Sequence, residues 1–234
     1  MSLALPACEK PPMPNIALYY SSGACSLAAH VALNEWGMPF EVRRVTIAKG
    51  EHIQPDYVSL NPHARVPLLM IDERPIRENS GILTWIGQQS GLYPANGTYE
   101  AAVCGQWLGW LASAVHISFA MIWRGERFAH DKALHPAIRQ RGYDWVGHQF
   151  AEIDDTLAKT QYALGAEYSV ADCNLLPFYR WGGRIGLDMS LYPAWSAWAA
   201  RVGERPAVRA TLAMEEVSLQ DTLPLPDGAI PPKR

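Results

Sequence analysis

The feature that most constrains this chain is a change of rhythm near residue 91. Before it, strand and helix patterns alternate; after it, helical periodicity takes over and no convincing strand follows. "NIALYY" reads as a strand. "CSLAAHVALNEWG" reads as a helix ended by Gly37, with Pro39 just beyond. "FEVRRVTI" reads as a strand whose inward parity switches at Arg43 and Arg44, as through a bulge. "QPDYVSLNP" is a short helix or turn, and "VPLLMID" is a continuous apolar strand suited to cover on both faces. Pro75 confines the short strand "RPIR" to a sheet edge. "NSGILTWIGQQSG" is a helix closed by Gly91. The order β-α-β-α-β-β-α within about 75 residues defines an α/β domain.

"GLYPANGTYE" carries the breakers of a linker. From Tyr99 to about Trp123 the pattern predicts one long helix. Trp107, Trp110, Ala114, Ile117 and Met121 form one apolar stripe, and Leu108, Leu111, Val115, Phe119 and Ile122 form a second. Such a helix is expected to have no solvent-facing side. A third stripe is made of small residues around one histidine: Gly109, Ala112, Ser113, His116 and Ala120. Val146, Phe150, Ile153 and Leu157 mark another amphipathic helix. In "YSVADCNLL", Ser169 is the N-cap and Asp172 reaches back to it, so Asp172 reads as structural. A last helix runs through "YPAWSAWAARVGERPAV" to about Val217. The chain thus divides into a tail (1–14), an α/β domain (15–90), a linker (91–99), an all-helical domain (100–217) and a proline-rich tail (218–234). Both tails are expected to dock loosely.

Composition excludes several functions. The chain has 234 residues, 49% of them hydrophobic, and can bury a substantial core. A net charge of -3 gives no electrostatic case for nucleic acid or an anionic membrane. No apolar run approaches the ~20 residues of a membrane helix. Cys8, Cys25, Cys104 and Cys173 are irregularly spaced, with no CxxC and no metal-ligand pattern. They suit a reduced, cytoplasmic compartment, and all but Cys25 read as inert.

Three features of the first domain converge. Cys25 and Ser26 sit at a helix start, where free amides and the helix dipole stabilise an anion such as a thiolate. Cys25 could instead be a small buried residue. Val66-Pro67 lies between a loop and a buried strand; a cis peptide there exposes the Val66 backbone to a ligand. In "RENSG", the Glu78 carboxylate can take an ammonium group, and the Asn79 and Ser80 amides can take a carboxylate. A ligand with a thiol, an extended peptide backbone and an α-amino acid end satisfies all three, and glutathione has that form.

Here the sequence resembles the glutathione S-transferase family, closest to its bacterial beta-type enzymes. "LYYSSGACSLAAHVAL", "NPHARVP", "ENSGIL" and "YSVAD" carry the resemblance, in family order and spacing, over about residues 15–215. It implies a thioredoxin-like N-terminal domain followed by an all-α C-terminal domain, usually as a homodimer. By the same resemblance, Cys25 matches the active-site cysteine and Ser26 the serine beside it. Val66 matches the backbone reader before cis-Pro67, and Glu78 the γ-glutamyl acid. His116 matches the histidine that approaches glutathione from the helical domain, and Lys49 a lysine at the glycyl carboxylate, with His52 competing. Three positions depart from the pattern: Asn79 replaces a serine, Ala64 a glycine, and Gly109 a polar residue often supplied across the dimer.

The implied reaction is conjugation of the glutathione thiolate to a small apolar electrophile, a detoxifying chemistry that needs no metal. Two alternatives keep the fold: thiol-disulfide exchange through a mixed disulfide at Cys25, or ligand or protein binding without turnover.

Overall fold

The computed structural model describes residues 14–226 and 228–232; Cys8 and most of the expected N-terminal tail lie outside them. The first part is a four-stranded sheet with helices on it. Its elements are β1 (Ile16–Tyr20), α1 (Leu27–Trp36), β2 (Glu41–Arg44), α2 (Pro55–Leu60), β3 (Leu68–Ile71), β4 (Arg74–Arg77) and α3 (Asn79–Ser90). The strand order is β2-β1-β3-β4. β1 runs parallel to β2 and antiparallel to β3, and β3 pairs antiparallel with β4. β4 occupies an edge, as Pro75 requires. Gly37 ends α1 in the left-handed conformation at φ 74°.

β2 corrects the expectation of a long strand with a bulge. It stops at Arg44, and all four of its residues are exposed, so there is no inward parity to switch. Val45 is buried and donates a last backbone hydrogen bond to Tyr20. Two short 3-10 turns then take over, at Ile47–Lys49 and Glu51–Ile53, hinged on Gly50 at φ 72°.

The second part is helical: α4 (Tyr99–Trp110), α5 (His116–Trp123), α6 (His135–Leu157), α7 (Val170–Arg184), α8 (Pro193–Gly203) and α9 (Pro206–Glu215). The predicted helix from Tyr99 to Trp123 follows one path but is not uniform. A π-helical turn at Leu111–Val115 separates α4 from α5 and keeps both Leu111 and Val115 buried. Nor is it buried all round: Ala102, Gly105, Gln106, Gly109, Ala112 and Ser113 are exposed. The helix expected to run to Val217 is two helices. Pro206 has no N–H to continue the ladder and holds Arg205 extended at ψ 133°.

The capping box at α7 forms as read. Ala171 N–H donates to the Ser169 hydroxyl, and the Asp172 carboxylate accepts from the Ser169 N–H at 3.0 Å. Asp172 also accepts from Ala163 N–H and Trp198 Nε1, tying three helical-domain segments together. Burial pushes its carboxyl up to about 6, against those hydrogen bonds.

The segment after 217 is not loose. Leu219 is buried, Asp221 pairs with Arg180 at 2.6 Å, and Leu223 N–H donates to the Gly183 carbonyl. A Cβ on Gly183 would lie 2.5 Å from the Asp221 oxygen, so the fit depends on that glycine. α1 lies at the centre of the molecule, against α3, α7 and α9, with Leu27 through Leu33 all buried.

Candidate active site

The turn after β1 presents Cys25. Ala24 N–H donates to the Ser21 carbonyl. The Ser26 hydroxyl closes the same turn twice, donating to the Ser21 carbonyl and accepting from the Ser21 N–H, each at 3.1 Å. Ser26 is therefore fully buried and does not line the cleft, so the serine that the resemblance sets beside the active-site cysteine spends its hydroxyl on the turn. Cys25 is partly exposed, with its sulfur 3.5 Å from the Val66 carbonyl oxygen. Burial pushes its thiol up to about 12, and the Glu78 carboxylate pushes the same way. The helix-start amides of Cys25 and Ser26, with Arg65, pull it down but do not prevail. Burial thus opposes the lowering of the Cys25 thiol that a helix start alone suggests.

The turn is clamped from the helical half, a feature sequence reasoning missed. Gly23 N–H donates to Glu215 Oε2 at 2.8 Å, and the Gly23 carbonyl accepts from Trp181 Nε1 at 2.9 Å and Arg180 Nη1 at 3.2 Å. The Ser22 hydroxyl donates to the Glu215 carbonyl. Glu215 Oε1 meets His30 Nδ1 at 2.8 Å, and both side chains are fully buried. Gly23 has φ 66°, and a Cβ on it would stand 2.6 Å from Arg180. The signal in the sequence was that Glu215 continues the buried Val208–Thr211 stripe of α9.

Across from the turn, the Val66-Pro67 peptide is cis. Ala64 holds φ 52°, keeping the left-handed geometry that the glycine of the family pattern suits. Glu78 caps α3 at φ 66°, a strained value for a non-glycine residue. Its carboxylate lies 3.4 Å from His63 Nδ1, and both side chains are largely exposed. Asn79 turns its amide away, donating to Asn174 of α7 at 2.8 Å, while its buried Oδ1 has no partner. Lys49 is exposed and does not line the cleft. His52 does, with its buried Nδ1 unpartnered.

The cleft has two connected compartments. The smaller, about 210 Å³, is walled by Pro67, Glu78, Asn79, Ser80 and Ala112. The larger, about 590 Å³, is walled by the Ser21–Ala24 turn, His52, Trp123, Trp181 and five arginines. Cys25, Arg65, Val66, His116, Ala120 and Arg127 border both. The fold thus brings Cys25, Val66, Pro67, Glu78, Asn79 and His116 together, and leaves Ser26 and Lys49 outside. His116 follows the π-helical turn, its ring edge-on to Trp181 and Phe178 with centroids 5.2 and 5.9 Å away. Burial first, then Arg65 and Arg127, lower its basicity to about 4 against the opposing pull of Glu78, so the ring is neutral at pH 7. A hydrogen-bonding thiol, a strained carboxylate, a neutral imidazole and guanidinium groups with no ion pair among the described residues together suit a ligand with an ammonium, carboxylates and a thiol of its own.

Residues 15–88 match the family model described as "Glutathione S-transferase, N-terminal domain", and residues 143–206 match "Glutathione S-transferase, C-terminal domain". Glutathione S-transferase GST-4.5 of Xanthomonas campestris is 28% identical over 201 residues, spanning 85% of this chain and 98% of that protein. Disulfide-bond oxidoreductase YfcG of Escherichia coli is 23% identical over 202 residues, spanning 82% of this chain and 92% of that one. The structure of a sphingomonad glutathione S-transferase complexed with glutathione has a TM-score of 0.75 at 32% identity, covering 86% of this chain and 100% of that chain.

Proposed function

This chain belongs to the glutathione S-transferase family, and from that premise we propose that it conjugates the glutathione thiolate to a small electrophile with an apolar body. The observation that carries the reading is the place of Cys25. Its sulfur borders both compartments and meets the Val66 carbonyl oxygen at 3.5 Å, and burial pushes its thiol upward. A thiol so placed can donate a hydrogen bond to a thiolate that a ligand brings.

Glutathione lies with its γ-glutamyl end in the smaller compartment on this reading and its glycyl end reaching the border of the larger. Its ammonium meets Glu78, its γ-glutamyl carboxylate meets the amides at the start of α3, and its cysteinyl backbone follows Val66. Asn79 contributes its backbone, since its side chain is engaged with Asn174. His52 and Arg65 are better placed for the glycyl carboxylate than Lys49, because they line the cleft. Ser26 is a positioning residue that fixes the turn. His116, neutral, lends a hydrogen bond from the helical side. The enzyme works as a homodimer in the cytoplasm on detoxifying chemistry, and uses glutathione as co-substrate.

Thiol-disulfide exchange at Cys25 is the second reading, favoured by the likeness to a protein named as a disulfide-bond oxidoreductase. It needs Cys25 as a thiolate, which its surroundings oppose. Replacing the sulfur separates the two. Under conjugation, Cys25→Ala keeps aryl-halide turnover within ~10-fold of wild type, the value of one good hydrogen bond to a charge. Under exchange, the variant loses all turnover of a glutathione mixed disulfide, and mass spectrometry of wild type finds glutathione bonded to Cys25.

A further inference from the structure

The larger compartment is lopsided in charge. Five arginines line it, Arg65, Arg124, Arg127, Arg180 and Arg184, with no carboxylate among the lining residues. In a chain with 23 acidic and 20 basic residues, one wall so composed departs from the mixed signs of an ordinary surface. Arg180 is spoken for, by Asp221 and the Gly23 carbonyl. The other four are exposed and make no ion pair among the described residues. Glu126, which lies between Arg124 and Arg127 in sequence, pairs with neither.

These four divide by position. Arg65 and Arg127 border both compartments and can serve the carboxylates of glutathione. Arg124 and Arg184 border the larger compartment alone, and none of the glutathione groups assigned above is given to them. On the same wall stand Trp123 and Trp181, edge to face with centroids 5.1 Å apart. Trp123 is 43% exposed, a large apolar surface held open at the cleft. The open face of Trp123, propped by the buried edge of Trp181 and with Arg124 and Arg184 on the same wall, matches a planar body with an anionic substituent. Guanidinium forks take carboxylates bidentately, and arginine also stacks on aromatic faces.

We infer that the second substrate is an anionic, planar electrophile, an aryl or conjugated carboxylate or sulfonate, whose body rests on the exposed face of Trp123 and whose charge is held by Arg124 and Arg184. The inference rests on the conjugation reading and narrows its substrate class. With 4-chloro-3-nitrobenzoate as probe, the glutathione thiol first gives its proton to solvent. Its sulfur then attacks the chlorine-bearing carbon. The C–S bond forms, the C–Cl bond breaks, and chloride leaves with the bonding pair.

The test compares that probe with its uncharged amide, 4-chloro-3-nitrobenzamide. The kcat/KM of each is divided by its uncatalysed rate with glutathione, in wild type and in the double variant Arg124→Gln/Arg184→Gln. Calorimetry with glutathione is run on both proteins. Wild type should favour the benzoate by ~10-fold or more, as charge complementarity in a cleft allows, and the preference should shrink with added salt. In the double variant the preference should fall to near unity. Equal normalised values in wild type, or a preference that survives the double substitution, overturns the inference while glutathione binding leaves the conjugation reading standing. Wild type that binds no glutathione overturns both.

Discussion

His116 sits on the cleft wall between two aromatic edges with its basicity lowered to about 4. Its ordinary value is near 6.5, so between those limits the unfolded chain takes up a proton that the folded chain refuses. The stability it contributes is complete above pH 6.5 and is lost as pH falls through about 4. Denaturant melts should therefore weaken from pH 6.5 to 4, and less so in His116→Gln. An imidazole NMR titration of His116 with a midpoint near 6.5 would contradict this. At the residue scale the sequence was informative where a side chain's job is set by its neighbours in the chain. The cysteine at a strand-to-helix turn, the Val66-Pro67 pair and Glu78 before α3 all reach the cleft. It misled where the job is set by what lies across the turn. The Ser26 hydroxyl is spent on Ser21, and burial at Cys25 outweighs the helix-start amides. The exchange of Lys49 for His52 follows from Gly50, whose left-handed φ turns the chain between them.

Among the elements, α1, β3, β4 and α3 were legible because their limits are written in local chemistry: Gly37, Pro75 and Gly91. The π-helical turn within the Tyr99–Trp123 segment was not, since the sequence there holds no proline and no other breaker pattern to mark it. Its apolar residues gave the Leu108–Ile122 stripe as buried, but in the other stripe only Trp107 is buried and Ile117 is exposed, and together they hid the open face. That open face, Gly105, Gly109, Ala112 and Ser113 with Ala102 and Gln106, is nearly free of bulk. Small side chains let a second helix approach closely, and a two-fold pairing would lay this face against its copy. Light scattering at micromolar concentration should give twice the 26.0 kDa chain mass. A Cβ on Gly109 meets nothing within 4 Å, so Gly109→Arg spares the protomer's own packing and should shift the mass toward the monomer. A wild-type protein of 26.0 kDa would rule the pairing out.

For the whole molecule, the site belongs to neither half alone. The turn that carries Cys25 hangs on Gly23, whose N–H is held by α9 and whose carbonyl is held by α7. Arg180 is in turn fixed by Asp221, from the segment read as a loose tail. Such contacts join residues up to 192 positions apart, and the sequence marks only one end of them, Glu215 on the buried stripe of α9. They set the turn against Val66, with the Cys25 sulfur 3.5 Å from its carbonyl oxygen. The central claim is that the thiolate of this enzyme is glutathione's and that Cys25 stays protonated. The ultraviolet absorbance of the thiolate, titrated with pH in wild type and in Cys25→Ala, each with and without saturating glutathione, tests it most directly. A thiolate should appear ~2 units below the free thiol, a preference of about 2.7 kcal/mol, in both proteins and only when glutathione is bound. A low-pH thiolate in wild type without glutathione, absent from Cys25→Ala, would contradict the account.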